Sequence, residues 1–165
     1  MTDGEILRYS VGRHFKMDAV ISDLKYHLLW RQTTVPVPRL TEHVVKLLNR
    51  GLMYIHGRCF DNTPIMVVDF GRIGEALNKN ELSAGDYCQL NNILARYMQN
   101  NMMVPGQVDK FISLVDINKF SLKAMPVTMF KECAHELSLN YVDYNAGQVI
   151  VNLTWMQNIV VKMLQ

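Results

Sequence analysis

The chain has 165 residues and a mass of 19.0 kDa, enough for one domain with a sizeable core and too little for two of ordinary size. Hydrophobic residues make up 49% and charged residues 19%, which excludes a disordered or collagen-like chain. With 17 Lys/Arg against 15 Asp/Glu, charge is too nearly balanced for wholesale binding of nucleic acid. Residues 1–60 hold nine of the basic and five of the acidic groups, which allows a mild anionic contact near the N-terminus or simply a solvated basic face. No apolar run approaches the roughly 18 residues that cross a bilayer, and Met1-Thr2-Asp3-Gly4-Glu5 does not begin a signal peptide. A cytoplasmic location is expected.

A short helix is predicted over Glu5 to Gly12. Met17, Val20, Ile21, Leu24 and Leu28 then recur at helical spacing behind Asp18, so residues 18–32 should form an amphipathic helix ending before Pro36 and Pro38. Thr41 can cap a third helix carrying Val44, Val45, Leu47 and Leu48, closed by Gly51. Leu52–His56 and Ile65–Phe70 are apolar runs around a stretch dense in turn formers, the pattern of two adjacent antiparallel strands. Ser83 with Asp86 opens a long helix through Tyr87, Leu90, Leu94 and Met98. Phe111–Ile117 should be a strand. Pro126 suits the first turn of a helix bearing Val127, Phe130, Cys133, Ala134 and Leu137. Gly147 precedes another strand, Gln148–Leu153, and Thr154 with Gln157 caps a last helix, Trp155 to Leu164.

From residue 65 strands and helices alternate, which predicts right-handed crossovers. The fold class is therefore α/β: N-terminal helices (1–51), then a mixed, mostly parallel sheet covered by helices (52–165), as one structural domain. The strands around Leu114 and Ile150 are apolar at both parities, as expected of a sheet covered on both faces.

Motifs that would signal chemistry fail on context. Asp69-Phe70-Gly71 has no kinase catalytic loop to accompany it, and Gly71-Arg72-Ile73-Gly74 reads as a simple turn. Cys59, Cys88 and Cys133 include no CxxC pair and read as buried thiols. The five histidines form no HxxxH pair, so no metal site is expected. Asn152-Leu153-Thr154 is a formal glycosylation sequon at a strand end expected to be buried and unmodified. Nothing marks a nucleophile or an acid–base pair, so the chain does not read as an enzyme.

Several segments in order resemble the CRAL-TRIO lipid-binding family, which includes the Sec-fourteen-like phosphatidylinositol and phosphatidylcholine transfer proteins. Ile6-Leu7-Arg8-Tyr9 through Arg13-His14-Phe15-Lys16 is similar to the family's "LRFLRARKF" opening, and Leu29-Trp30-Arg31 to its "WR" helix end. Tyr54-Ile55-His56-Gly57-Arg58 with Asp61-Asn62-Thr63-Pro64-Ile65 resembles "hG.D..GrPv". Phe111-Ile112-Ser113-Leu114-Val115-Asp116 resembles "vDl.g", and Gln148-Val149-Ile150-Val151-Asn152 resembles "k.yivN.p".

The resemblance implies a sheet flooring an apolar pocket that shields one lipid. Ile55, Met66, Val68, Phe111, Ser113, Val115, Val149 and Val151 should then line it, taken as one strand parity. Of the family's four hydroxyl-bearing positions for phosphatidylcholine, aligned here with Ile55, Met66, Phe111 and Ser113, only Ser113 keeps a hydroxyl. For phosphatidylinositol, Arg8 or Arg13 aligns with the basic residue, and Tyr144 stands where a glutamate is expected. Losing the headgroup partners favours a less polar ligand. The family's gate segment would follow Leu164, so the chain is expected to lack that lid and to expose a sheet edge to self-association. The resemblance implies a lipid ligand, a peripheral membrane contact, and no cofactor beyond the bound lipid. As an alternative it implies an adaptor for a small GTPase or other protein on a fold that has lost lipid transfer.

Overall fold

The computed structural model describes residues 2–34, 40–119 and 127–153. Helix α1 (Asp3–Gly12) starts where Thr2 accepts the Glu5 amide at 3.3 Å while the Glu5 carboxylate accepts the Thr2 amide at 2.7 Å. This reciprocal cap satisfies two first-turn donors. The chain reverses through His14 and Phe15, both at positive φ, into α2 (Met17–Thr34). Asp18 lies inside the first turn of α2 rather than capping it; there its charge still complements the helix dipole. Tyr9, Val20 and Leu24 bury against Val142 in a small satellite cluster. Thr41 caps α3 (Glu42–Asn49) by accepting the Val44 amide. Gly51 then turns at φ +64°.

The sheet has the order β1 (Met53–Arg58), β2 (Pro64–Asp69), β3 (Phe111–Asp116), β4 (Asn145–Val151). β1 and β2 are antiparallel, whereas β2, β3 and β4 run parallel. The fold class is thus α/β with a mixed, mostly parallel sheet. Between β2 and β3 the chain forms two helices, α4 (Phe70–Asn78) and α5 (Ala84–Asn101), where the sequence reading placed one. Gly71-Arg72-Ile73-Gly74, expected as a turn, lies in α4. Asp69 caps that helix by accepting the Arg72 amide at 2.9 Å, and Ile73 and Ala76 are fully buried. Gly71 is there for space: a Cβ at this position would stand 2.3 Å from the Asn118 carbonyl oxygen. The Ser83–Asp86 box opens α5 as expected. Helix α6 (Val127–Asn140) connects β3 to β4. Pro126 and the expected helix Trp155–Leu164 lie outside the described residues.

The main core fills the space between one sheet face and the helices, around Leu52, Met53, Met66, Val68, Ile73, Leu90, Met98, Phe111, Val115 and Cys133. The expectation that both sheet faces are covered holds only in part. β2 is buried at both parities, β3 alternates between buried and half-buried residues, and β4 is mostly exposed. β4 borders the described sheet, so it gains burial from one neighbour only. Cys133 is buried, but Cys59 and Cys88 are only partly so. Asn152 is exposed, at φ +60°, and donates its side-chain amide to Asp116 at 2.8 Å. No described helix is long and apolar enough to cross a membrane.

Candidate lipid site between the sheet and helices α5 and α6

Strand pairing decides which side chains share a face. In the β2–β3 register Met66 stands beside Ser113 and Val68 beside Val115, and neighbours across a ladder point to the same side. With Phe111 they form the floor of a cavity of about 410 Å³. Tyr87, Asn91 and Ala95, at i, i+4 and i+8 on α5, form one wall, because that spacing stacks side chains on one helix face. Helix α6 supplies Cys133, Ala134, Leu137 and Ser138. Phe130 closes one end, tilted against Phe70 at 5.0 Å and edge-on to Tyr87 at 5.1 Å. The rim is formed by Ala134 and Ser138 of α6 and by Asn145 and Gln148 of β4, all exposed, so the cavity opens between that helix and that strand.

The described lining of the cavity is uncharged: no Asp, Glu, Lys, Arg or His is among its described residues. Three of its polar side chains are engaged locally. The Asn91 amide donates to the Tyr87 carbonyl at 2.9 Å, the Ser138 hydroxyl to the His135 carbonyl at 2.8 Å, and the Asn145 side chain accepts the Gly147 amide at 3.1 Å. Ser113 is 5% exposed, and its hydroxyl, like the side chains of Tyr141 and Gln148, makes no hydrogen bond among the described residues. It is not one of the fully buried unpartnered atoms, so it is open to the cavity and free to meet a polar ligand atom there. Burial pushes the Tyr87 phenol and the Cys133 thiol up, and Cys133 is raised further by its contact with Cys88, itself pushed up by burial. These groups face the cavity in their neutral forms, and no thiolate nucleophile is on offer.

Met66, Val68, Phe111, Ser113 and Val115 all line this cavity. Ile55 pairs with Met66 and packs half-buried on the core, beyond the cavity wall. Val149 and Val151 were expected on the same face and are not. The register pairs Phe111 with Asn145 but Ile112 with Gly147, so Ala146 is an extra residue that exchanges the two parities of β4. Ser113 therefore stands beside Gln148 and Val115 beside Ile150, while Val149 and Val151 accompany Leu114 and Asp116 on the opposite face.

The three headgroup candidates also sit elsewhere. Arg8 lies 4.0 Å over the Tyr144 ring, donates to the carbonyls of Asp109 and Asp143 at 3.1 and 3.0 Å, and pairs with the Asp109 carboxylate at 3.4 Å. Arg13 pairs with Asp23 and donates to the Ser138 carbonyl. Arg8 and Tyr144 share a separate depression with Asp109 and Asp143, whose carboxylates disfavour an anion there. The α5 wall was missed from sequence. Its signal was Asn91, a polar residue on the buried stripe between Tyr87 and Ala95. Among the described residues no cluster of His, Cys, Asp and Glu could hold a metal ion.

A mixed sheet partly covered by helices thus borders an open cavity whose described lining is uncharged. The chain belongs to the CRAL/TRIO domain family, whose model matches residues 48–165, and this is a lipid-binding fold. A solved structure, that of Sfh5, superposes with a TM-score of 0.76 at 14% sequence identity, covering 98% of this chain and 58% of that one. The chain thus spans somewhat more than half the length of that structure, and the likeness is one of fold. No curated protein matches the chain closely enough in sequence to count as a relative.

Proposed function

We propose that the protein holds one small, uncharged lipid over Ser113 and carries it between cytoplasmic membrane surfaces without altering it chemically. The Ser113 hydroxyl, unpartnered and open to a cavity whose described lining carries no charge, supports this reading. Apolar contact supplies most of the affinity, at about 25 cal/mol per Å² removed from water, and Ser113 orients the single polar group. A phosphate brought into such a lining would be desolvated with no cation to meet it, a cost of several kcal/mol. Arg8 and Arg13, the candidate phosphate partners, are held by Asp109 and Asp23. Size favours the same ligand: about 410 Å³ is roughly fourteen times the ~30 Å³ share of a water molecule, which fits one chain or a compact ring system.

Native mass spectrometry after incubation with phosphatidylcholine vesicles doped with tetradecanol or phosphatidylinositol tests the proposal. One tetradecanol per chain is expected, with uptake lost in Ala134→Phe, a plug at an exposed rim position. Recovery of no lipid from either vesicle, or preferential uptake of phosphatidylinositol, would contradict it.

A further inference from the structure

A second cavity, of about 260 Å³, lies on the other side of α5 from the sheet, between α2, α5 and the end of α6. Trp30, Leu40, Ile93, Tyr97 and Tyr141 make it aromatic and apolar, with Trp30 edge-on to Tyr141 at 5.8 Å. Among the described residues that line it, the one charged side chain is Arg96.

Arg96 stands apart from the other described arginines. Arg8, Arg13, Arg31, Arg50 and Arg72 each have a carboxylate partner, and Arg58 is held by the carbonyls of Asn62 and Met102. Half-buried Arg96 has only a 3.4 Å contact to the Gln99 side-chain oxygen, and no ion pair among the described residues. Its charge reaches Tyr141, where it opposes the upward push of burial and of the Glu136 carboxylate on the phenol. A guanidinium facing an aromatic groove calls for an anion whose body is apolar. The anion should carry one charge: among the described residues of the groove there is one cation to meet it. Behind it the Glu136 carboxylate, which accepts hydrogen bonds from Trp30 at 3.2 Å and Asn92 at 3.1 Å, repels a second negative charge. A carboxylate meets these conditions and a phosphate monoester does not.

We propose that this groove, which meets the cavity over Ser113 at Tyr141, is a second binding site that takes a monocarboxylate amphiphile: the carboxylate on Arg96, the chain or ring along Trp30, Tyr97 and Tyr141. The proposal stands or falls apart from what occupies the sheet cavity.

Trp30 reports occupancy directly. The sequence has two tryptophans, so in a Trp155→Phe background its fluorescence can be titrated with octanoate, and with octanol as the uncharged control. The expected result is a saturable change with octanoate, weakened roughly tenfold in Arg96→Gln, and a much weaker response to octanol that Arg96→Gln does not alter. Ala134→Phe, which plugs the other cavity, should leave octanoate binding unchanged. The proposal is overturned by any of three results: no saturable change, equal affinity for octanoate and octanol, or octanoate binding abolished by Ala134→Phe. Should Arg96→Gln fail to fold, the comparison of octanoate with octanol on the chain with Arg96 intact decides alone.

Discussion

Ser113 and Gln148 stand side by side in the parallel register of β3 and β4, and both face the cavity. The register shift at Ala146 makes them neighbours; a regular register running on from Phe111 and Asn145 would instead set Val149 beside Val115. The two β4 faces should therefore respond differently to bulk. Gln148→Trp, at the rim, should weaken tetradecanol uptake roughly tenfold, whereas Val149→Trp, on the other face, should change it by less than about twofold. Uptake measured by native mass spectrometry separates them, and the reverse order would show that the register is wrong.

His27 links α2 to α6 through a 3.1 Å hydrogen bond from Nδ1 to Asn140 Oδ1, with its ring stacked on Trp30. Asn140 donates its own amide to the Glu136 carbonyl, so its oxygen faces His27 and the neutral ring carries its proton on Nδ1. Burial lowers the His27 pKa, the Asn140 bond opposes this, and the Arg31 charge adds to the lowering, leaving a net downward shift. The unfolded chain then takes up a proton more readily than the folded one. Stability is complete above about pH 6.5 and is lost as pH falls from there through the lowered folded value. Urea unfolding at pH 7.5 and 5.5 should show this loss. In His27→Phe this slope should be absent, while the unpaired Asn140 oxygen lowers stability at both pH values by about 1–3 kcal/mol.

Alanine in place of a mid-helix glycine ordinarily stabilises, by up to about 1 kcal/mol. At Gly71 in α4 the sign should reverse, since the new Cβ meets the Asn118 backbone oxygen at 2.3 Å and backbone cannot swing aside. Gly71→Ala should cost roughly 1–3 kcal/mol. Thermal unfolding that shows the variant to be as stable as the parent would place α4 farther from the turn after β3.

Arg8 serves the fold. It ties α1 to the loops at Asp109 and Asp143 and covers the Tyr144 ring. Arg8→Met should lower stability by about 1–3 kcal/mol, with tetradecanol uptake per folded molecule unchanged. A selective loss of lipid uptake at full stability would instead assign Arg8 to the ligand.

Much of the framework was legible because its signals are local. Thr41 and Ser83 mark their helix starts, and the turn formers between Arg58 and Pro64 mark the hairpin. Helix α4 was hidden by its two glycines, which read as a turn until the close approach of Asn118 explains one of them. The floor residues on β2 and β3 could be read from alternation, since those strands pair without irregularity. The β4 residues could not: a one-residue bulge leaves no mark in composition, yet it exchanges the two faces. Nor could Arg8 and Arg13 be told from phosphate ligands, because their carboxylate and carbonyl partners lie far along the chain or across a helix pair. The same holds for Arg96, whose lack of a carboxylate is a fact of three dimensions.

The central claim is most directly tested by a crystal structure of the protein after loading from tetradecanol-doped vesicles. The account predicts density for one chain between α5, α6 and the floor of Met66, Phe111 and Val115, with the alcohol oxygen within hydrogen-bond reach of the Ser113 hydroxyl. Ordered water throughout that cavity, or the lipid seated anywhere else, would contradict it.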